Sequence, residues 1–139
     1  MNKMDRAELE KILPHRKPML LIDEAYINEE GKAVGFYKVL GNEFFLQGHF
    51  PENPVVPGVI LCEMMAQTCG VLITKRTDGR TPYFTSLDKV RFKNPVIPGD
   101  KVEFLCEITK VKGPFYFAKG KGFVTSKLCV EGEFSFALI

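Results

Sequence analysis

The sequence predicts an α+β fold in which one antiparallel sheet surrounds a single buried helix. The first observation is the segment of residues 57–74, which is apolar on nearly every face of a helix and contains one charged residue, Glu63. The second is that segments with the period of β-strands lie on both sides of this helix, two before it and four after it. A sheet that curls around the helix would cover most of its apolar surface.

Length and composition limit the class of protein. The chain has 139 residues, which is the size of one domain, so we expect a single domain over residues 1–139. A net charge of +2 without a long basic run argues against a nucleic-acid partner. The N-terminus has no apolar stretch typical of a secretory signal, which favours a cytoplasmic protein. The apolar run around residue 60 is interrupted by Pro57, Gly58 and Glu63, and this predicts a core helix without membrane insertion.

The four cysteines give no sign of a metal site or a redox motif. Cys62, Cys69, Cys106 and Cys129 form no C-x-x-C pair, and no histidine lies at ligand spacing from them. We interpret all four as small buried hydrophobic residues in a reducing compartment.

The predicted elements follow the changes of periodicity along the chain. They are a helix over residues 5–13, strands over 20–28 and 33–40, a loop over 42–56, the helix over 57–74, a polar exposed connection over 75–82, and strands over 83–92, 101–111, 115–125 and 128–139. Asp5 and Glu8 have the spacing of a capping box. Gly120 and Gly122 predict a bulge or a close approach of backbones. A loop as long as residues 42–56 is usually functional or packed on itself.

His49 is the candidate base. Imidazole changes its charge near neutral pH and can therefore accept a proton at pH 7. His49 lies between Gly48 and Phe50-Pro51, a constrained piece of backbone. The alternative is a histidine that only holds the loop. The other histidine, His15, follows a helix end at Pro14, and we interpret it as structural.

Glu63 is the candidate acid. Burial beside Cys62 and Met64 disfavours the charged form of a carboxylate, so Glu63 can hold a proton. Its spacing from Gln67, Gly70 and Thr74 forms one polar stripe on the helix, and it predicts that Gln67 holds the carboxylate. Gly70 leaves space on this stripe. The alternative is a buried ion pair between Glu63 and an arginine.

Gly58 is the candidate donor to a negatively charged oxygen. It lies at the predicted start of the helix, where backbone N–H groups lack intrahelical partners and the helix dipole is positive. Such a donor can stabilise an enolate-like oxygen. The alternative is a glycine that only permits the turn.

These features together resemble one known family, the (3R)-hydroxyacyl-acyl carrier protein dehydratases of bacterial type II fatty acid synthesis. The resemblance covers about residues 6 to 138, and the block from Gly-His-Phe-Pro at residues 48–51 to Glu63 is its most specific part. The matching motifs are Leu13-Pro14-His15-Arg16, Leu21-Ile22-Asp23, Gly48-His49-Phe50-Pro51, Pro57-Gly58-Val59, Glu63-x-Met65-Ala66-Gln67, Leu87-Asp88-Lys89-Val90-Arg91-Phe92 and Pro95-Val96-x-Pro98-Gly99-Asp100.

The resemblance implies a hotdog fold, a curved antiparallel sheet wrapped around one long central helix. It implies a hydro-lyase in which His49 removes the α-proton of a 3-hydroxyacyl thioester, Glu63 assists departure of the hydroxyl as water, and Gly58 polarises the thioester carbonyl. The product is a trans-2-enoyl thioester for fatty acid elongation. It also implies a dimer with shared sites, His49 facing the Glu63 of the other subunit, and assembly as a trimer of dimers.

The resemblance further implies the partner and the absence of a cofactor. The substrate is a 3-hydroxyacyl chain on acyl carrier protein, which brings its own phosphopantetheine arm, so neither a metal nor an organic cofactor is expected. Carrier proteins are acidic, and Lys89, Arg91 and Lys93 are candidates for docking them. Two alternatives remain: a thioesterase with the same fold, and a subunit that binds acyl chains without turnover. A relative that also isomerises its product usually has Asp in place of Glu63, which favours plain dehydration here.

Overall fold

The computed structural model describes residues 2–76 and 79–139, with all their side chains except those of residues 74–76. In these residues, two α-helices and six strands carry the fold, and two short 3₁₀ helices, Phe44–Leu46 and Val71–Arg76, lie between them. The helices are α1 (Arg6–Leu9) and α2 (Gly58–Gly70), and the strands are β1 (Glu24–Ile27), β2 (Ala33–Lys38), β3 (Pro82–Phe92), β4 (Lys101–Lys112), β5 (Phe115–Val124) and β6 (Lys127–Leu138). The predicted order of elements is confirmed; within the predicted connection 75–82, residues 77 and 78 lie outside the described part.

All six strands form one antiparallel sheet in the order β1-β2-β4-β5-β6-β3. The helix α2 contacts β2, β4, β5 and β6, so four neighbouring strands cover it. Gly35 on β2 permits one close approach, because a Cβ there would overlap the Thr68 side chain. The predicted arrangement of one sheet around one helix is confirmed.

The N-terminal part is less regular than predicted. The capping box of Asp5 and Glu8 is present, but α1 has four residues and ends at Leu9. The first strand begins at Glu24 and not at residue 20. The physical reason is visible at Leu21, whose N–H donates to Gln67 Oε1 on α2 at 2.8 Å and so has no strand partner. Leu21 thus bonds to the helix, and the first bond of this segment to the sheet is at Asp23, whose N–H donates to the carbonyl of Phe36 on β2.

Regular alternation along β4 builds the core. Val102, Phe104 and Cys106 alternate along the strand and are buried. The two glycines of β5 provide the close approaches expected of them: a Cβ on Gly120 would lie 2.9 Å from Cys106 Sγ, and one on Gly122 would lie 2.8 Å from the Phe104 ring. The register shifts directly after Gly122.

All four cysteines are free and buried, as predicted. Burial raises the pKa of the Cys69 thiol to about 12 and also raises the pKa of Cys106. These thiols therefore remain protonated at neutral pH and act as packing groups.

The helix α2 is shorter than predicted and is open on one side. It ends at Gly70, and the chain continues as a 3₁₀ helix. Val59 is 71% exposed, and Glu63 and Ala66, which follow on the same face, are half-buried. No helix in the described residues is long and apolar enough to cross a membrane.

The strand β3 forms one edge of the sheet. It pairs with β6, the last strand in the chain, and not with β4, which follows it in sequence. Tyr83, Phe84, Leu87 and Phe92 on this strand are all exposed. A long edge strand with exposed aromatic and aliphatic side chains can pair with a strand of another chain.

Candidate active site

His49 lies in a cleft of about 530 Å³ at the start of α2. Its Nδ1 is 3.0 Å from the carbonyl oxygen of Val55. Because a carbonyl only accepts, Nδ1 carries the proton and Nε2 keeps its lone pair. The ring also stacks on Phe50, with centroids 4.1 Å apart. The loop therefore holds the imidazole with Nε2 available as a base.

Gly58 lines the same cleft as His49. It is the first residue of α2, and no side chain caps this helix end. Backbone N–H groups of the first turn are therefore available to an oxygen placed there. The absence of a side chain has a separate cause, since a Cβ on Gly58 would lie 2.7 Å from the Phe92 ring.

Glu63 lies in a second, smaller pocket of about 50 Å³. The pocket is lined by Leu13, His15, Glu63, Ala66, Gln67, Gly70, Pro82, Phe84 and Phe136. The Glu63 side chain is 23% exposed, so the sequence overstated its burial. The open face of α2 explains this, because the sheet of the same chain does not cover that side.

Gln67 holds the carboxylate, as the helical spacing predicted. Its Nε2 donates to Glu63 Oε2 at 2.8 Å and to the carbonyl of Met19 at 2.7 Å, while its Oε1 accepts from the N–H of Leu21. These three hydrogen bonds fix the orientation of the buried Gln67 amide. Gly70 lines the pocket as expected, and a Cβ there would lie 2.9 Å from Leu13 Cδ2. The side chain of Thr74, the last residue of the predicted stripe, lies outside the description.

His15 is the site residue whose position the sequence reasoning missed. Its Nε2 lies 3.4 Å from Glu63 Oε2, so the side chain beside the carboxylate is a histidine and not the arginine of the alternative interpretation. Its Nδ1 is buried and has no hydrogen-bond partner among the described residues. The only signal in the sequence was the presence of His15 in the Leu-Pro-His-Arg motif of the resemblance.

The two halves of the candidate site do not meet within one chain. His49 and Gly58 line one cleft, and Glu63 and Gln67 line another. The strand β3 runs between them, with Pro82 and Phe84 at the Glu63 pocket and Phe92 at the His49 cleft.

The three candidate docking cations lie in two places. Lys93 lines the cleft of His49. Lys89 and Arg91 instead line a groove of about 560 Å³ on the face of the sheet opposite α2. Lys89 also lies 3.5 Å from Glu133, which compensates its charge. In the described residues, no group of three or more His, Cys, Asp or Glu side chains could hold a metal ion.

Two solved structures with low sequence identity share the fold. The ApeI:P dehydratase heterocomplex of Xenorhabdus doucetiae superposes with a TM-score of 0.81 at 18% identity, covering 94% of this chain and 90% of that one. The fluoroacetyl-CoA thioesterase FlK superposes with a TM-score of 0.68 at 16% identity, covering 78% and 84%. At this level of identity the likeness establishes the hotdog fold and nothing about activity.

Sequence comparison identifies the family. A family model of the FabA-like domain matches residues 13–133. The 3-hydroxyacyl-acyl carrier protein dehydratase FabZ of Clostridium beijerinckii is 48% identical over 136 residues, which cover 94% of this chain and 96% of that protein. FabZ of Clostridium perfringens is 42% identical over 137 residues, with coverage of 97% and 99%. The chain belongs to the FabZ family of 3-hydroxyacyl-acyl carrier protein dehydratases.

Proposed function

We propose that this protein removes water from (3R)-3-hydroxyacyl chains carried on acyl carrier protein, giving trans-2-enoyl chains. The observation that carries the proposal is the pair of half-sites: a histidine with a free Nε2 beside an open helix N-terminus, and a carboxyl group held by a fixed amide. Together they contain a base, an acid and an N–H donor, which are the groups that an elimination next to a thioester carbonyl needs.

In the proposed reaction, His49 Nε2 removes a proton from C2 of the substrate. The electron pair moves toward the thioester carbonyl, and the N–H of Gly58 stabilises the negative oxygen. As the double bond between C2 and C3 forms, the C3 hydroxyl leaves with a proton from Glu63 as water. His49 ends protonated and Glu63 ends ionised, so transfer of the proton from one to the other restores the starting state.

We further propose that each complete site is built from two chains. A second copy placed antiparallel along β3 by a two-fold axis would bring the start of one β3 to the end of the other. The Glu63 pocket lies at the start of β3 and the His49 cleft at its end. This pairing would therefore join the two half-sites of different chains, twice in each dimer. Family membership also favours assembly of three such dimers into a hexamer.

We expect the carrier protein to dock beside the cleft of His49 and not at the groove lined by Lys89 and Arg91. Because Gly58 would bind the thioester oxygen, the phosphopantetheine arm enters on its side of the site, where Lys93 lies. Lys93 is thus the strongest of the three candidates for docking an acidic carrier. The reaction as proposed needs no metal and no organic cofactor from the enzyme. Four free thiols fit the cytoplasm as its compartment.

The test of the reaction uses 3-hydroxyacyl carrier protein as substrate and follows the ultraviolet absorbance of the enoyl thioester. We expect turnover in the wild type and a loss of at least about 100-fold in kcat for His49→Ala and for Glu63→Ala, the range for losing an acid or base. Sizing of each variant must show the wild-type oligomer. Release of free thiol without enoyl absorbance would instead indicate a thioesterase.

Docking is tested by charge reversal. We expect Lys93→Glu to raise KM for the carrier-bound substrate about 10-fold through charge repulsion, with little change for the same acyl group on a small thiol. Lys89→Glu, on the opposite face of the sheet, is the matched control and should leave KM unchanged for both substrates. Equal effects of the two charge reversals on KM would show that Lys93 has no specific role in docking.

A further inference from the structure

We propose that His15 is a positioning residue for Glu63, and that it selects which carboxyl oxygen delivers the proton. The inference rests on the proposed dehydration and assigns a role to a residue beyond the base, the acid and the N–H donor. Its basis is the contact between one nitrogen of His15 and Glu63, while the other nitrogen has no partner in the part of the chain that the structure describes.

Two nitrogens converge on the same oxygen of Glu63. Gln67 Nε2 donates to Oε2 at 2.8 Å, and His15 Nε2 lies 3.4 Å from that same atom. No described donor contacts Oε1. Since Oε2 is occupied by the two nitrogens, Oε1 is the oxygen left to carry a proton to the hydroxyl of the substrate.

The two nitrogens are held by one loop. Gln67 bonds to the backbone of Met19 and Leu21, and His15 lies four residues before Met19 in the same segment. The backbone N–H groups of Met19 and Leu20 both donate to the Arg16 carbonyl, which forms a turn directly after His15. Both contacts with Oε2 thus depend on the conformation of residues 15–21.

The contact with Glu63 indicates the tautomer of a neutral His15, because a carboxylate oxygen only accepts. With its proton on Nε2, neutral His15 can donate to the carboxylate, and Nδ1 is left as a buried acceptor without a donor. Among the described residues, the contact with Glu63 is the one polar contact of the His15 side chain, so it is the feature to which a role can be assigned.

The kinetic test compares three variants of His15. We expect His15→Ala to lower kcat about 10-fold, because Glu63 Oε2 loses one of the two nitrogens that position it, with KM nearly unchanged. His15→Gln returns an N–H donor near the position of Nε2 and should recover most of kcat. His15→Phe fills the same space without a donor and should remain slow. Lys17→Ala, exposed in the same loop, is the matched control and should match the wild type.

The opposite pattern would overturn the inference. If His15→Phe equals the wild type, or if the fall in kcat follows a fall in thermal stability across the variants, His15 has only a packing role. The double variant His15→Ala/Gln67→Ala adds a second criterion. Because both residues act on Oε2, the fold-loss of kcat in the double variant should be smaller than the product of the fold-losses in the two single variants. Strictly multiplicative losses of kcat would contradict a shared target.

A measurement without turnover separates this inference from the proposed function. Nitrogen NMR of the imidazoles should find the proton of His15 on Nε2, and Glu63→Gln should shift that signal. A proton on Nδ1, or a signal insensitive to Glu63→Gln, would overturn the contact even in an active enzyme. Wild-type protein that forms no enoyl product would overturn the proposed dehydration, while the NMR result would still decide the contact.

Discussion

At the scale of single residues, the clearest electrostatic feature outside the site is Glu43. Its carboxylate accepts from the N–H groups of Leu40 and Gly41 and from the hydroxyl of Tyr37. Burial works to raise its pKa, but these hydrogen bonds prevail and lower the pKa from the ordinary 4.5. The same environment raises the pKa of Tyr37, through burial first and the bond to Glu43 second. Glu43 thus ties the end of β2 to the loop that leads to His49.

We predict that Glu43 gives the protein acid-sensitive stability. A carboxyl group whose pKa is lowered by folding stabilises the fold above its unfolded pKa, and this contribution is lost as the pH falls through the lower, folded value. Glu43→Gln should therefore be less stable than the wild type at pH 7, and the difference should narrow below about pH 4.5. Urea unfolding of both proteins at pH values from 7 down to below 4.5 measures this difference in the free energy of unfolding. A constant difference at every pH would show that charge has no part in the effect.

At the scale of elements, β3 connects the two half-sites. One end of this strand lines the Glu63 pocket, the other lines the His49 cleft, and its pairing with β6 leaves its second edge open. The aromatic side chains Tyr83, Phe84 and Phe92 are exposed along it. In the proposed dimer, the same strand would supply both the contact between chains and the boundary of the site.

We predict that a charge in the middle of β3 separates the chains. Leu87 is the central residue of the strand and is exposed in the single chain. Leu87→Asp would place two like charges near the two-fold axis, so dimers should dissociate and dehydration should fall together with the dimer fraction. Light scattering and the enoyl assay measure the two quantities. Val111→Asp, an exposed apolar position on β4, is the matched control and should remain a dimer.

At the scale of the whole molecule, the fold separates His49 from Glu63, although they are close in the sequence. The base cleft and the acid pocket have no lining residue in common. The open face of α2, with Val59 exposed and Glu63 half-buried, is the side on which a second copy would complete the cover of the helix.

We predict that two inactive variants restore activity when combined. Chains with His49→Ala and chains with Glu63→Ala, unfolded and refolded together, should regain about a quarter of wild-type activity, because half of randomly formed dimers are mixed and each mixed dimer has one intact site. Each variant refolded alone is the control. A mixture that stays as inactive as the separate variants, while sizing shows dimers, would place both groups of each site in one chain.

Local features of this chain could be read from the sequence because neighbours along the chain determine them. The capping box of Asp5 and Glu8 and the bond from Gln67 to Glu63 follow from helical spacing, and both are present. The inward face of β4 follows from alternation. His49, Gly58 and Glu63 were found as candidates by their chemistry and by the family motif, and their catalytic roles stay predictions.

By itself, the sequence determined the family, the order of elements and the residues able to do the chemistry, since periodicity and motif spacing are properties of the chain. Only the tertiary structure decided that β3 pairs with β6 at the sheet edge, that Leu21 supports α2, and that His15 lies beside Glu63. These contacts join residues far apart in the chain. They depend on how the whole sheet packs around one helix, and no local pattern records that packing.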